Sequence, residues 1–507
     1  MGIFDKTLGA ISPGWAASRA RNKLRIQMYE AAQRTRTHKA DRESRSADAA
    51  VFAAGTSLRE QARWLDENHD LVTGLLDKLE DRVIGAHGIH VEPQPLDLEG
   101  NLHVAFAEQL SALWAEWSVR PEVTGTFTRP EAERLLLRSA LRDGETFTQL
   151  IKGPVAGLQH ATKVPFSIEM LEADFVPTNL NSTAGQQIRQ GVMVNAWGRP
   201  TGYRVFKVHP ASASGFSSDL KTVEAENMLH LAMRRRLHQV RGVSLLHGVM
   251  TRIASIKNYE DSELVAARIA ASISFYIKRG DGASFPTEDY EPSGKKYQHY
   301  DIAPGMIYDE LGPGEDMGMF ESNRPNVHLQ EFRNGQLRAV AAGTRGSYSS
   351  IARDYNGTYS SQRQELVESF EGYNVLQQWF VGQHSRPVYR TWLAMAVLSG
   401  QIVVPADVKM ESLYNALYLG PVMPWIDPVK EATAWRAIVR GGAGTEAEWS
   451  RARGRAPQDV KRQRIRETEF NKEHGLVFDS DAANDKGVPT DASVKESGKA
   501  ASSEDDD

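Results

Sequence analysis

From Ser57 to Ile84, apolar residues recur at three- and four-residue steps: Leu58, Ala62 and Leu65, then Leu71, Leu75 and Leu79. That spacing lines one face of a helix. A second amphipathic stretch runs from Val104 to Trp117. A third opens at Thr128-Arg129-Pro130-Glu131, with Thr128 placed to cap and Pro130 in the first turn, and ends near Gly144. The period then shortens. Phe147 to Ile151, Phe166 to Val176 and Val192 to Val208 read as strands, and the last forms a hairpin on a turn built from Gly198, Pro200 and Gly202. Helical spacing returns over Asn227–Arg236, Val243–Ile256 and Ser262–Lys278.

Between Arg279 and Pro325 periodicity vanishes under a run of Gly and Pro, which predicts a small β-rich insertion or protruding module. Leu329 to Ala342 is helical again. A loop rich in Gly, Ser and Tyr spans Gly343 to Ser361. A long helical region, Gln362 to Ser399, follows, with a break expected at Gly382 to Pro387. The elements predict an α+β protein.

Composition narrows the function. The chain has 507 residues, enough for several domains, and no cysteine, which excludes a disulfide framework, a thiolate metal site and a Cys nucleophile. No apolar run is long enough to span a bilayer, and the first twenty residues lack a signal peptide's apolar core. The net charge of -5 argues against a protein that coats DNA. Charge is concentrated at the ends. Arg19 to Arg45 reads as a basic arm or a solvated helix face, Arg451 to Arg466 is basic, and the chain beyond Phe478 is poor in large apolar residues, ends in Glu504-Asp-Asp-Asp507 and is expected to be disordered.

Catalytic motifs are absent. No phosphate loop, G-x-S-x-G elbow or H-E-x-x-H occurs. His230 and His238 lack partners at metal-ligand spacing and read as core or interface histidines. Asp309, Glu310, Glu315 and Asp316 form an acidic cluster, but Gly312-Pro-Gly314 interrupts it and a solvated turn fits better than a metal loop. No catalytic residue, metal or cofactor is expected.

Three segments, in order, resemble the lambda-type phage portal family. They are the hairpin around Gly198-Arg-Pro200 with Tyr203; Asn227-Met-Leu-His230 leading into Gln239-Val-Arg-Gly-Val-Ser244; and Arg338-Ala-Val-Ala-Ala-Gly343 followed by Ser347-Tyr348, Ile351, Arg353-Asp-Tyr355 and Tyr359-Ser-Ser361. Arg234-Arg-Arg-Leu-His238 departs from the family's Arg-Pro-Gly-type turn. The resemblance implies a mixed α/β wing, a helical stem, a small β-rich clip and a helical crown, assembled as a ring of twelve. The expected divisions are a basic arm (1–50), wing (51–240), stem region (241–278, its helix near 262–278), clip (279–327), second stem helix (328–342), channel loop (343–361), wing and crown helices (362–450) and tail (451–507).

The implied role is a channel for double-stranded DNA at the capsid vertex of a virion assembled in the host bacterial cytoplasm. The implied partners are the terminase large subunit, head–tail connector proteins, and the major capsid and scaffolding proteins. Arg345, Tyr348, Arg353, Tyr355 and Tyr359 are the candidate DNA contacts, since Arg and Tyr touch phosphate and sugar without reading bases. Lys295, Lys296, Glu310, Glu315 and Asp316 are the candidate clip contacts with terminase and connector. Another capsid or head–tail connector protein, or a metal-dependent nuclease, are the alternatives.

Overall fold

The computed structural model describes residues 41–212, 219–271, 275–279, 315–319, 328–424 and 427–476, with isolated positions outside these spans. It is a mixed helix and sheet protein, as the periodicities predict. Helices α1 (Ala47–Asn68) and α2 (Asp70–Val83) meet at His69 and bury Leu65, Leu75, Leu76 and Leu79. After β1 (His90–Pro93) come α3 (Val104–Trp117) and α4 (Arg129–Asp143). Helix α4 starts in a capping box: Thr128 and Glu131 satisfy one another's backbone N–H groups.

Next come β2 (Glu145–Lys152), β3 (Phe166–Glu172), β4 (Ile188–Arg189), β5 (Val192–Val194), β6 (Pro200–Phe206), β7 (Leu220–Glu224) and β8 (Met228–Ala232). They build an antiparallel sheet in the order β3-β2-β8 and a second in the order β4-β5-β6-β7. The predicted hairpin is present as β5–β6, though of the three predicted turn residues only Gly198 is in the turn, and Pro200 and Gly202 lie inside β6. The helix expected over Asn227–Arg236 is instead strand β8. Both its faces are covered: Leu231 enters the large core around α1 and α2, and Met228 enters a cluster with Tyr203 and Val205. A strand buried on both faces carries a near-continuous apolar run, which periodicity alone cannot tell from a helix.

The two helical readings before and after Ile256 join into one helix, α5 (Met250–Ala271). It stops short of the expected Lys278. Residues from Phe275 on form strand β9 (Phe275–Arg279), paired antiparallel with β10 (Glu315–Met319). The aromatic and β-branched run Phe275-Tyr-Ile277 explains the switch. Helix α6 (Leu329–Thr344) lies antiparallel to α5. Arg333 pairs with Glu260, Arg252 donates to Gln336, and Tyr259 meets Phe332 edge-on at 5.1 Å.

The remainder is α7 (Tyr348–Ala352), α8 (Tyr359–Phe380), α9 (Arg386–Leu398), β11 (Ala416–Leu419) paired with β1, and then α10 (Pro428–Arg440), α11 (Glu446–Ala452) and α12 (Pro457–Glu473). The expected break at Gly382–Pro387 is a π-helical turn, Val381–Ser385, in which the Arg386 N–H donates to Val381 O. Pro387 has no N–H, and its ring would strike the carbonyl four residues back in a regular α-helix; the wider turn makes room. The basic run Arg451–Arg466, assigned to the tail, lies largely in α11 and α12.

Candidate functional site

The segment after α6 is ordered, where the sequence suggested a glycine-loosened loop. Thr344 is buried and its hydroxyl donates back to Val340 O at 2.8 Å. Arg345 then turns the chain at φ 61, a left-handed residue ending α6. Ser347 caps α7 by accepting from Ser350 N at 3.3 Å, and Arg353 ends it at φ 53. The two arginines therefore hold matching positions, each just past a helix C-terminus, and both are exposed. Arginine has a Cβ and resists this conformation, so the turns persist because their surroundings hold them. Ile351 packs into the large core, and Glu365 of α8 accepts from both the backbone and the hydroxyl of Ser349.

Tyr348 is half-buried. Its hydroxyl donates to Asp354 Oδ2 at 2.8 Å, and the Arg338 guanidinium sits 5.0 Å over its ring. Burial and the Asp354 carboxylate push the phenol above its usual range. Tyr348 thus holds the segment together rather than pointing outward. Tyr355 and Tyr359 are exposed, at 56% and 57%; the backbone carbonyl of Tyr355 accepts from Gln362.

Sequence reasoning missed two neighbours. Lys78 and Arg82 of α2 share the surroundings of Arg353. Burial, reinforced by the charges of Arg82 and Arg353, depresses the Lys78 ammonium. A small cationic cluster of Lys78, Arg82 and Arg353 results. The signal was the i, i+4 pair on α2, but nothing in the sequence placed it beside α7. Asp354 is spent on Tyr348 and Asn356 N and Glu365 on Ser349, while the Asp81 carboxylate of α2 partly offsets the positive charge around Lys78.

Of the clip candidates, Glu315 and Asp316 lie on β10, opposite Arg279 and Lys278 in register. Lys295, Lys296 and Glu310, with Asp309, lie outside the described residues. His230 is a core histidine and His238 is exposed, so the two share no site. Among the described residues, Glu172, Asp174 and His209 come close enough to share an ion. Asp174 there is taken by Arg59 at 3.0 Å and Arg63 at 2.5 Å, so this is an ion-pair network rather than a metal-binding set.

The family model described as "Phage portal protein, lambda family" matches residues 33–377. The chain belongs to the lambda family of phage portal proteins. The matched span takes in the β3-β2-β8 and β4-β5-β6-β7 sheets, the α5–α6 pair, α7 and nearly all of α8. This portal chain is 23% identical over 432 residues to the probable portal protein of Halomonas phage phiHAP-1, covering 82% of the chain and 81% of that protein. It is 21% identical to portal protein B of Escherichia phage lambda, covering 85% and 87% respectively. Among solved structures it is similar to a chain in the neck of a native gene transfer agent particle computed with C12 symmetry. The TM-score there is 0.45 at 13% identity, with 78% of this chain and 92% of that one covered.

Proposed function

We propose that this portal protein forms a ring of twelve copies at the capsid vertex and conducts double-stranded DNA during packaging and ejection. On this reading the ring docks the terminase large subunit and later the head–tail connector, works with the major capsid and scaffolding proteins, and nucleates procapsid assembly in the host cytoplasm. It acts as a structural conduit rather than an enzyme. Family membership across residues 33–377 carries the proposal.

Within that ring, residues 51–240 are the wing, the α5–α6 pair is the stem, and residues 279–327, which include β10, are the clip that meets terminase and connector through Lys295, Lys296, Glu310, Glu315 and Asp316. The 343–361 segment faces the channel. Two exposed arginines per copy, Arg345 and Arg353, with Tyr355 and Tyr359, suit that position. They touch phosphate without the dense basic lining that would hold a polyanion in place by releasing many counterions.

Electron microscopy of the purified chain, with particle mass, tests the proposal. Rings of many subunits around a hole wide enough for a duplex are expected. A monomer or dimer at every salt concentration tried would overturn it.

A further inference from the structure

A cavity of about 420 Å³ opens between three elements that are each irregular. One wall is the tip of the β5–β6 hairpin, where Trp197 is 94% exposed. The second is the turn after β8, where His238 is held at φ 63, a conformation unusual for a residue with a Cβ. The third is the π turn, which contributes Gln383. Such turns are frequent at functional sites. The floor is rigid. His230 donates from Nε2 to the buried Glu145 at 3.0 Å, and Glu145 is fixed in turn by Arg241.

The charge of this cavity is one-sided. Arg189, Arg234 and His238 line it and, among the described residues, no Asp or Glu does. Arg189 has a carboxylate at its limit, Asp48 at 3.9 Å, and that carboxylate also accepts from Val240 N. Arg234 spends its Nε on Val240 O and leans toward His230, and Arg236 donates to Arg45 O. No carboxylate among the described residues pairs with Arg234 or Arg235. Leu237 stands 89% exposed on the same turn. This Arg-Arg-Arg-Leu-His run is also the place where the sequence leaves its family's pattern.

We propose that the cavity is a docking site for this chain's own acidic C-terminal segment, residues 479–507. That segment carries nine Asp and Glu against three Lys, and four of the nine are consecutive at Glu504–Asp507. Charge complementarity selects it. A short carboxylate run meets Arg234 and Arg235, which pair with no carboxylate among the described residues, and Trp197 and Leu237 offer apolar surface to the neighbouring Ala and Ser. Reach allows it, since the stretch from Leu476 to Ser503 extends to roughly 90 Å. The C-terminal helices are tied to the body by Arg451 on Glu92 and Arg462 on Glu108. The segment serves its own copy or a neighbouring one. Occupancy covers the exposed cationic turn and keeps it from collecting stray polyanions.

The absence of native cysteine makes the test clean. Leu237→Cys and Ser503→Cys are introduced into the full chain and treated with a short bismaleimide. Ser503→Cys with Leu398→Cys, an exposed site on α9, gives the background. Ser503→Cys with Ile465→Cys asks whether the segment lies on basic α12 instead. The 237–503 product is expected well above background at low salt. It should fall about fivefold or more with Arg235→Glu, whose side chain supports no described contact, and vanish near 1 M salt. A denaturing gel shows whether the bridge lies within or between copies. A 237–503 yield at background, a dominant 465–503 product, a Leu237→Cys self-link, or indifference to both Arg235→Glu and salt would each overturn the assignment.

Discussion

At the scale of single residues, the most consequential group is Glu145, at the head of β2 and wholly buried. It accepts from Arg241 Nε at 2.8 Å, His230 Nε2 at 3.0 Å and Gly242 N at 2.9 Å. Burial opposes its charge, yet the Arg241 guanidinium and the His230 hydrogen bond hold its carboxyl well below the ordinary range. Arg241, also fully buried, donates onward to the carbonyls of Val176, Gln190 and Ala173 and so ties both sheets together. Removing Arg241 leaves the buried carboxylate with Arg59, 3.6 Å away, as its remaining arginine partner among the described residues. Arg241→Met is therefore expected to cost about 3–5 kcal/mol in denaturant unfolding. Glu145→Gln with Arg241→Met should recover part of that loss, because no bare charge remains.

Two histidines make a second residue-scale prediction. Burial drives His230 down to about 4 and His384 down to about 3 from an ordinary 6.5. Both stay neutral in the folded chain while the unfolded chain takes up protons below pH 6.5. Stability is thus fully present above pH 6.5 and declines as pH falls toward 4, by up to about 1.4 kcal/mol per pH unit for each histidine. Urea midpoints between pH 7.5 and 5 should follow this slope. His384→Phe, beside Phe380 in the π turn, should remove one histidine's share of it. An unchanged slope in that variant would mean His384 is already solvated in the fold.

At the scale of elements, the turn from α4 into β2 depends on two glycines. Gly144 sits at φ 91, and a Cβ there would lie 2.4 Å from the Val243 carbonyl carbon. Gly242 lies across from it, where a Cβ would meet Gly144 O at 1.9 Å. These backbones touch because Met233 N donates to Gly144 O while Gly242 N reaches Glu145. Neither alanine fits without moving a strand. Gly144→Ala and Gly242→Ala should each lower stability by at least about 2 kcal/mol, read by thermal or urea unfolding.

The same scale shows what the sequence could and could not tell. Helix α3 matches its predicted bounds, and α4 begins at its predicted cap, since these are surface helices with one apolar face and local stop signals. Strand β8 was misread because the sheet covers it on both sides. The π turn was misread as a break because Pro387 forbids a regular helix there but not a wider one. At the candidate site, Arg345 and Arg353 could be picked from composition. Their matching positions beyond two helix ends, and the approach of Lys78 and Arg82, arise from packing of α2 on α7, which no local pattern encodes.

At the scale of the whole molecule, the 343–361 segment separates structural from conducting residues. Tyr348, Ile351, Ser347 and Ser349 face inward to partners, whereas Arg345 and Arg353 are exposed and, among the described residues, make no ion pair. Arg345→Ala with Arg353→Ala should therefore leave assembly and unfolding midpoint nearly unchanged. Replacing the left-handed arginines by Ala keeps a Cβ at the same strained positions, so backbone conformation is a constant of the comparison. If the segment touches DNA, the double variant removes two phosphate contacts per copy, and the salt dependence of DNA passage should weaken, with packaged length or rate altered at low salt more than at high. Tyr348→Phe provides the contrast, because it loses the bond to Asp354 without changing charge and should act on stability first. Intact rings with altered packaging in the arginine variant would assign the segment to the channel. Broken rings in that variant would assign the arginines to the contact between subunits instead.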